Sequence, residues 1–324
     1  MQPGNHIRYL RRQEIDTGQW DACIQAASNR LIYGRSFYLD EMTTGQWDGL
    51  VLGEYAAVMP LPWRRKAGVR YLFQPAFTQQ TGIFSPGSIT PGLIGSFLQR
   101  LDHHFRFAAI FLNYANPLPP SPDPRTRTAT HSNFILPLNA PYQQLSGQYK
   151  GDLVRNLQLA GRSDLRYMMD VDLTTVLEGY RREYEDRVPH VKEEDYRRFE
   201  KLCLYLQKKG QLLIRAAVGR DREVMATALL PMDEAAANPT SGSPMPRMYL
   251  LQSTTTAAGR AVAANHFLLD NMVKEWADTS RILDFEGSDL PGIAHFYRNF
   301  GSHDQPYFYY RYNKLPWPIR LLKR

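Results

Sequence analysis

Cysteine is scarce in this sequence. Its 324 residues include only two cysteines, Cys23 and Cys203, which lie far apart and in helical surroundings. Two such cysteines argue against a disulfide framework and against a cysteine-based metal site. Their surroundings predict that both are small buried hydrophobic side chains.

Long apolar runs are also missing. No stretch of the sequence approaches the roughly 20 residues that a helix needs to cross a bilayer. The first residues lack the apolar core of a secretion signal. We therefore expect a cytoplasmic protein with no membrane span.

Several catalytic signatures are absent. The sequence has no Walker A motif, no Rossmann glycine fingerprint and no Gly-x-Ser-x-Gly elbow. His103, His104 and His131 have no acidic or cysteine partners at metal-ligand spacing. These absences argue against P-loop, dinucleotide and serine-hydrolase chemistry, and we expect no bound metal.

The composition is that of an ordinary globular protein of two domains, with 43% hydrophobic and 22% charged residues. The formal net charge is +7. Such a charge suits an anionic ligand such as CoA, a nucleotide-linked sugar or RNA, and it is equally compatible with a protein that binds none of these.

The stretch from Arg247 to Ser302 carries the strongest functional pattern. It predicts a buried strand at Met248–Leu251, a small polar turn at 253–260, an amphipathic helix, a second strand at 282–285 and a second helix that ends at Gly301. A turn between a strand and a helix N-terminus can hold a phosphate. The order therefore indicates a ligand cleft, and the alternative is a crossover that binds nothing.

Two motifs in this stretch resemble those of the GNAT acyltransferases. Thr256-x-x-Gly259-x-Ala261 occupies the acyl-CoA-binding turn, although the basic or amide first residue of the family is replaced by threonine. Ala294-His-Phe-Tyr297 followed by Gly301 is similar to the closing helix. The resemblance implies a donor-binding set formed by Thr254, Thr255, Thr256, Gly259, Arg260 and Ala261.

The run from Asp284 to Gly301 is similar to the Fem-type subfamily, whose members carry two GNAT-like halves. The resemblance implies a mixed α/β fold of two tandem GNAT-like domains, each a mixed central sheet flanked by helices. We expect an N-terminal domain over residues 1–140, a connecting helix over 141–164 and a C-terminal domain over 165–324. In this scheme a strand at 133–138 ends the first half, and one long helix spans 141–161.

Residues 74–84, with the sequence QPAFTQQTGIF, resemble a segment of bacterial Fem-like proteins. The resemblance implies that Gln74, Phe77 and Gln79 line a substrate pocket, and the alternative is a surface loop rich in amides. Arg155 lies in a stretch similar to the segment that joins the two halves in Fem-type enzymes. We expect Arg155 to contact a ligand.

Acyl transfer requires a thioester or ester and an amine held together, with an acid near the leaving group. Tyr297 falls where the family places its closing-helix tyrosine, which implies that it is the acid; the alternative is a half-buried structural tyrosine. Glu286 ends a buried strand, where ligands of α/β sheets gather, and is the candidate base. Its alternative is a capping or loop carboxylate, whereas His266 is expected to pack or face solvent.

The resemblance implies an acyl- or aminoacyltransferase with an amine acceptor such as a cell-wall or sugar precursor. The donor is acyl-CoA or aminoacyl-tRNA, so tRNA is a candidate partner, and no tightly bound cofactor is expected. One alternative is a non-catalytic module of the same fold that binds a sugar-like or polymeric ligand. A second is an RNA-binding protein, supported by the basic groups at 64–66 and 320–324.

Overall fold

The computed structural model describes residues 6–66, 68–185, 191–234, 244–287 and 289–316. The chain forms two compact units. Unit 1 contains residues 6–131 and 306–316, and unit 2 contains residues 132–234 and 245–305. No helix in the described part of the chain is long and apolar enough to span a membrane.

Unit 1 is built on one mixed sheet. Its elements are β1 Ile7–Arg11, α1 Thr17–Ala26, α2 Ser36–Thr43, β2 Trp47–Leu52, β3 Ala57–Lys66, β4 Val69–Phe73, α3 Pro91–Asp102, β5 Phe107–Leu112, β6 Thr126–His131 and β15 Tyr307–Asn313. The sheet order is β1-β2-β3-β4-β5-β15-β6. Only the β4–β5 pair is parallel among these described strands.

Local sequence explains where the helices of unit 1 begin and which face they bury. Asp16 caps α1 by accepting a hydrogen bond from the backbone of Gln19, and Thr90 caps α3 ahead of Pro91. The apolar side of α3, formed by Ile94, Phe97 and Leu101, packs on the sheet.

Pro60, Pro62 and the basic residues 64–66 predict a turn from the sequence. This prediction was wrong, because β3 runs through both prolines without a break. The N–H of Val58 points away from β2 and donates to the carbonyl of Phe84. Backbone orientation repeats every second residue along a strand, so residues 60 and 62 face the same side as Val58. Their missing N–H groups therefore fall on the edge opposite β2, where proline is tolerated.

Unit 2 contains two sheets. Its elements are β7 Phe134–Pro137, α4 Tyr142–Ser146, α5 Gly151–Ala160, β8 Arg166–Met168, α6 Leu173–Tyr184, α7 Glu193–Lys208, β9 Leu212–Val218, β10 Val224–Pro231, β11 Arg247–Tyr249, β12 Gln252–Thr255, α8 Ala257–Ala261, α9 Ala264–Trp276, β13 Ile282–Asp284, α10 Pro291–Arg298 and β14 His303–Asp304. The sheet orders are β12-β10-β9-β8 and β11-β13-β7-β14.

The two sheets of unit 2 part at one point of the chain. Strand β11 pairs in parallel with β13, whereas β12, which follows it directly, pairs with β10. A tight turn separates them, in which the N–H of Leu251 donates to the carbonyl of Tyr249 at 2.8 Å. Since β12 and β13 are not paired with each other, a gap opens between their C-terminal ends.

A buried helix face holds unit 2 together. Leu268, Leu269, Met272 and Val273 of α9 are all buried and belong to one apolar cluster with residues of both sheets. Their spacing is that of one helix face, as the sequence predicted.

Two strands differ from the predicted division of the chain. The strand at 134–137, expected to end the first half, pairs with β13 in unit 2. The C-terminal strand β15, expected in the second half, pairs with β5 and β6 in unit 1. Strand pairing is set by contacts distant in sequence, and a pattern read along one strand does not name its partner.

The long helix expected at 141–161 is broken into α4 and α5. Tyr142 begins α4 and Tyr149 lies in the break, and both donate hydrogen bonds of 2.9 Å to Asp270 on α9. At the end of the break the N–H of Lys150 donates to the carbonyl of Asn299. These tertiary contacts override the helical pattern.

Four other expectations differ from the structure or lie outside the described residues. Strand β12 occupies the first part of the turn expected from Ser253. The prolines between residues 116 and 130 predict an exposed connector, and β6 lies within it. The small polar residues of 233–246 predict a flexible loop, and most of it lies outside the described residues, as does the basic group at 320–324.

Candidate functional site

A cleft of about 620 Å³ opens in unit 2 where β12 and β13 separate. Its walls come from the ends of both strands and from helices α6, α8, α9 and α10. The lining residues are Tyr180, Tyr184, Leu250, Leu251, Ser253, Thr255, Gly259, Arg260, Ala263, Asn265, His266, Phe285, Glu286, Gly287, Gly292, Ile293, Phe296 and Tyr297. The cleft thus lies where ligands collect in open α/β sheets.

Buried Asp284 fixes the end of β13. Its carboxylate accepts a hydrogen bond of 2.6 Å from Arg247 and one of 3.0 Å from the side-chain amide of Asn133. It also accepts from the backbone N–H of Glu286 at 3.1 Å. Because Arg247 and Asp284 are both almost fully buried, the backbone at Glu286 is held by a paired, hydrogen-bonded charge.

The turn after β13 has an uncommon backbone conformation at two consecutive residues. Glu286 and Gly287 both adopt left-handed conformations, with φ of 64° and 50°. A Cβ on Gly287 would lie 2.1 Å from the carbonyl oxygen of Ser132, so only glycine fits there. The turn leaves Glu286 lining the cleft, as the sequence indicated for a strand-end carboxylate.

Tyr297 also lines the cleft, from helix α10. Its ring stacks on Phe285 with centroids 4.8 Å apart and lies 6.3 Å from the ring of Phe134. Burial, together with the negative charge of Glu286, raises the pKa of Tyr297 well above its usual value. Its phenol carries its proton at neutral pH, as an ordinary tyrosine does, and it faces the cleft as a hydrogen-bond donor.

The turn between β12 and α8 uses many of its own backbone donors. The N–H groups of Gly259 and Arg260 donate to Thr256, and the N–H of Thr256 donates to the carbonyl of Met225 at 3.0 Å. Three donors that a pyrophosphate would need are thus engaged within the protein. Of the expected donor-binding residues, Thr255, Gly259 and Arg260 line the cleft.

The other three expected donor-binding residues have different positions. Thr254 is buried in β12, and the side chains of a strand alternate between its two faces, so it does not share the face of Ser253 and Thr255. Thr256 caps α8, and Ala261 is exposed at its end. None of the three belongs to the cleft lining.

Gly259 is the point of closest approach in this turn. A Cβ there would lie 2.2 Å from the carbonyl oxygen of Met225. A phosphate-binding turn predicts that Gly259→Val weakens donor binding and leaves the fold intact. The second part of this prediction was wrong, since α8 would have to move away from β10.

Gln74, Phe77 and Gln79 belong to unit 1. The side chain of Gln74 donates to the carbonyl of Thr78 at 2.9 Å and accepts from the N–H of Phe111 at 3.1 Å. This pairing gives Gln74 a structural task in the loop. A substrate role for the three residues stays a prediction.

Side-chain amides hold the rest of that loop in place. Asn113 and Asn116, both fully buried, each donate to the carbonyl of Ile83, and Asn29 donates to Ile83 and to Asn113. Amides from outside the loop therefore satisfy a buried carbonyl group within it.

Arg155 borders a second cavity of unit 2, of about 490 Å³. It forms an ion pair with Asp152, which also lies 2.8 Å from the Nε2 atom of His295. The His295 contact and the charge of Arg155 hold the pKa of Asp152 below its usual value. Its expected ligand contact stays a prediction.

His266 was set aside in the sequence and lines both cavities. It is the third residue of α9, and its ring meets that of Phe296 edge-on with centroids 4.8 Å apart. The Nδ1 atom is buried and has no hydrogen-bond partner among the described residues. The one sequence signal for a cleft residue was its place in the first turn of the helix that follows the expected donor-binding turn.

Comparison with solved structures identifies the fold. The chain aligns with the crystal structure of FemX at a TM-score of 0.59 and 12% identity, over 98% of this chain and 99% of that one. A conserved protein of unknown function from Bacteroides thetaiotaomicron aligns at 0.55 and 9% identity, over 95% and 100% of the two chains. No protein-family model matches the chain, and no curated protein matches its sequence.

A third structure is the C-terminal domain of a protein assigned as a lysylphosphatidylglycerol synthetase from Agrobacterium fabrum. It aligns at a TM-score of 0.50 and 11% identity, over 95% of this chain and 94% of that one. The chain thus has a mixed α/β fold like that of FemX. The resemblance that the motifs indicated is confirmed as a likeness of fold.

Proposed function

We propose that the chain transfers an acyl or aminoacyl group from an activated donor to an amine, in the cleft of unit 2. The observation that carries the proposal is that Tyr297 and Glu286 line the same cleft, so that a phenol and a carboxylate face one cavity. A proton donor beside a carboxylate is what acyl transfer to an amine needs.

The proposed step balances without a cofactor. The amine nitrogen attacks the acyl carbonyl carbon, so that a C–N bond forms and the bond to the leaving group breaks. Glu286 accepts the proton that the nitrogen loses. Tyr297 gives its proton to the leaving sulfur of a thioester or the leaving oxygen of an aminoacyl ester. Exchange with water restores both side chains.

Both donor classes remain in the proposal. Arg260 supplies a half-exposed positive charge at the cleft, although its guanidinium also donates to the carbonyl of Thr255 and pairs with Glu183 at 3.5 Å. That charge suits the phosphates of acyl-CoA or of aminoacyl-tRNA. The name of one structural neighbour describes attachment of a lysyl group to a lipid, which fits acyl transfer.

A thermal-shift screen tests the proposal first. The donor probes are CoA, acetyl-CoA, longer acyl-CoAs and aminoacyl-tRNA. The acceptor probes are UDP-linked muropeptide precursors. A ligand present at about 100 times its Kd stabilises the folded state by about 2.7 kcal/mol. Donors that raise the melting temperature then go into a transfer assay with primary amines, in which product is detected by mass spectrometry.

The outcomes separate the proposal from its alternatives. Donor binding followed by amide formation supports it. Binding of a sugar-like ligand with no transfer from any donor favours the non-catalytic module of the same fold. Salt-sensitive binding of RNA without an aminoacyl group favours the RNA-binding alternative.

A further inference from the structure

His266 occupies the wall shared by the two cavities of unit 2. Gly292 and Phe296 of α10 share that wall with it. A group that enters the second cavity therefore approaches the first beside this imidazole. The ring is in the same cleft as Tyr297 and Glu286, yet neither of their roles uses it.

The burial of the ring indicates which nitrogen carries the proton. Nδ1 is buried and unpartnered among the described residues, so a proton there would be a buried donor without an acceptor. No described group hydrogen-bonds Nε2, and Nε2 is not among the buried unpartnered atoms, so it is the nitrogen left for the cavities. The neutral ring thus keeps its lone pair at Nδ1 and presents Nε2–H to the cleft.

The ring is neutral at pH 7, since burial lowers the pKa of His266 below its usual value. The charged or titratable groups around it line the two cavities. They are Arg260, Glu286, Tyr180, Tyr184 and Tyr297 in the first, and Asp152, Arg155 and His295 in the second.

Two backbone donors of the strand wall are already used. The N–H of Leu250 donates to the carbonyl of Asp284, and the N–H of Leu251 donates to that of Tyr249, both at 2.8 Å. When an amine attacks, negative charge develops on the acyl oxygen and needs a donor in the cleft. Leu250 and Leu251 both line this wall, and neither has its N–H to offer.

We propose that His266 is this donor: its Nε2–H binds the acyl carbonyl oxygen and stabilises the oxyanion that forms on attack. The role rests on the acyl transfer proposed above. No proton is transferred at His266. Its hydrogen bond only strengthens as charge develops on the acyl oxygen and relaxes as the leaving group departs. The protons move at Glu286 and Tyr297.

The first test compares His266→Gln, His266→Leu and His303→Leu with the unmodified protein, using acetyl-CoA or aminoacyl-tRNA and a set of primary amines. His303 is an exposed histidine on β14 and serves as the control. Loss of one oxyanion donor lowers kcat by about 100- to 1,000-fold. We expect that loss in His266→Leu with KM little changed, partial recovery in His266→Gln, which has an N–H, and no loss in His303→Leu.

A second measurement does not depend on turnover. Nitrogen NMR of the histidine rings reports the tautomer, and we expect a neutral His266 with its proton on Nε2. Acetyl-CoA should shift its Nε2 resonance more than CoA does, because CoA lacks the acyl carbonyl.

The results distinguish this role from the reaction on which it rests. Absence of donor binding and transfer in the unmodified protein overturns the proposed function, and the oxyanion role with it. Full-rate transfer by His266→Leu overturns the oxyanion role alone. So does equal loss in His266→Gln and His266→Leu with a matching fall in melting temperature, or a ring protonated on Nδ1 at pH 7.

Discussion

The turn at the mouth of the cleft gives a sharp test of the geometry, through the substitution Gly259→Ala. The added Cβ would lie 2.2 Å from the carbonyl oxygen of Met225, whereas ordinary contacts begin at 3.4 Å. Helix α8 must therefore move by about 1 Å or more, given the steric cost of overpacking. The movement weakens two hydrogen bonds from Thr256 to the carbonyl of Met225, of 3.0 and 3.3 Å.

The magnitude follows from three opposing contributions. Two hydrogen bonds contribute about 1 kcal/mol each, and overpacking costs about 1–3 kcal/mol. Alanine regains about 1 kcal/mol through its higher helix propensity. We expect Gly259→Ala to lower the free energy of unfolding by about 2–4 kcal/mol, or the melting temperature by about 4–16 °C for a unit of this size.

Gly292→Ala is the matched control. Gly292 lines the same cleft in α10, and a Cβ there meets nothing within 4 Å. Calorimetry of the full chain should show an unchanged or slightly higher melting temperature for Gly292→Ala. A Gly259→Ala protein as stable as its parent would refute the close approach of α8 to β10.

Three further substitutions test other parts of the account. Tyr297→Phe should lower kcat by about 100-fold or more with little change in KM or melting temperature, because only a transition-state interaction is lost; a full-rate variant would remove Tyr297 as the acid. Asp284→Ala should cost about 3–5 kcal/mol in denaturant unfolding, since it leaves Arg247 buried without its carboxylate, whereas Glu54→Gln, at an exposed ion pair with Arg8, should cost less than about 1 kcal/mol. Burial raises the pKa of Asp270, so the folded state binds more protons than the unfolded state. Its stability should therefore fall as pH rises from the unfolded toward the folded pKa of this carboxyl. Asp270→Asn should flatten that slope in unfolding curves from pH 4 to 7, and an identical slope would contradict the buried carboxyl.

Much of the secondary structure could be predicted from local pattern. The apolar stripe of α9 has the period of a helix, and the run at 282–285 has the short length of a buried strand and ends at a glycine-containing turn. Both elements are confirmed. The errors occur where contacts between residues far apart in the sequence determine the local structure. Strand β3 continues through two prolines because of the edge they face, and the helix at 141–161 breaks where Tyr142 and Tyr149 both meet Asp270.

The candidate site divides in the same way. Motifs located Tyr297, Glu286 and Gly259, because each has a fixed place relative to a strand end or a helix end, and all three line the cleft. Their roles stay predictions. The parting of β11 and β12 could not be predicted, since it depends on which partner each strand takes.

His266 shows the limit of sequence reasoning for a single side chain. A histidine on an amphipathic helix usually packs or is solvated, and no spacing rule separates those cases from a cleft residue. Only the three-dimensional arrangement places its ring between two cavities with Nδ1 buried. Gln74 shows a related limit, since its side-chain amide bonds the backbone of Thr78 and Phe111, and its expected substrate role stays a prediction.

The central claim is that the donor binds in the cleft between β12 and β13, and blocking that cleft tests it most directly. Gly292→Trp places a large ring at the cleft from an exposed helix position with no neighbour within 4 Å. Gly95→Trp makes the same change on α3 of unit 1, also in open space. Isothermal titration with the donor selected by the thermal-shift screen should show binding abolished by Gly292→Trp and retained by Gly95→Trp. Equal affinity in both variants, with both folded, would contradict the claim.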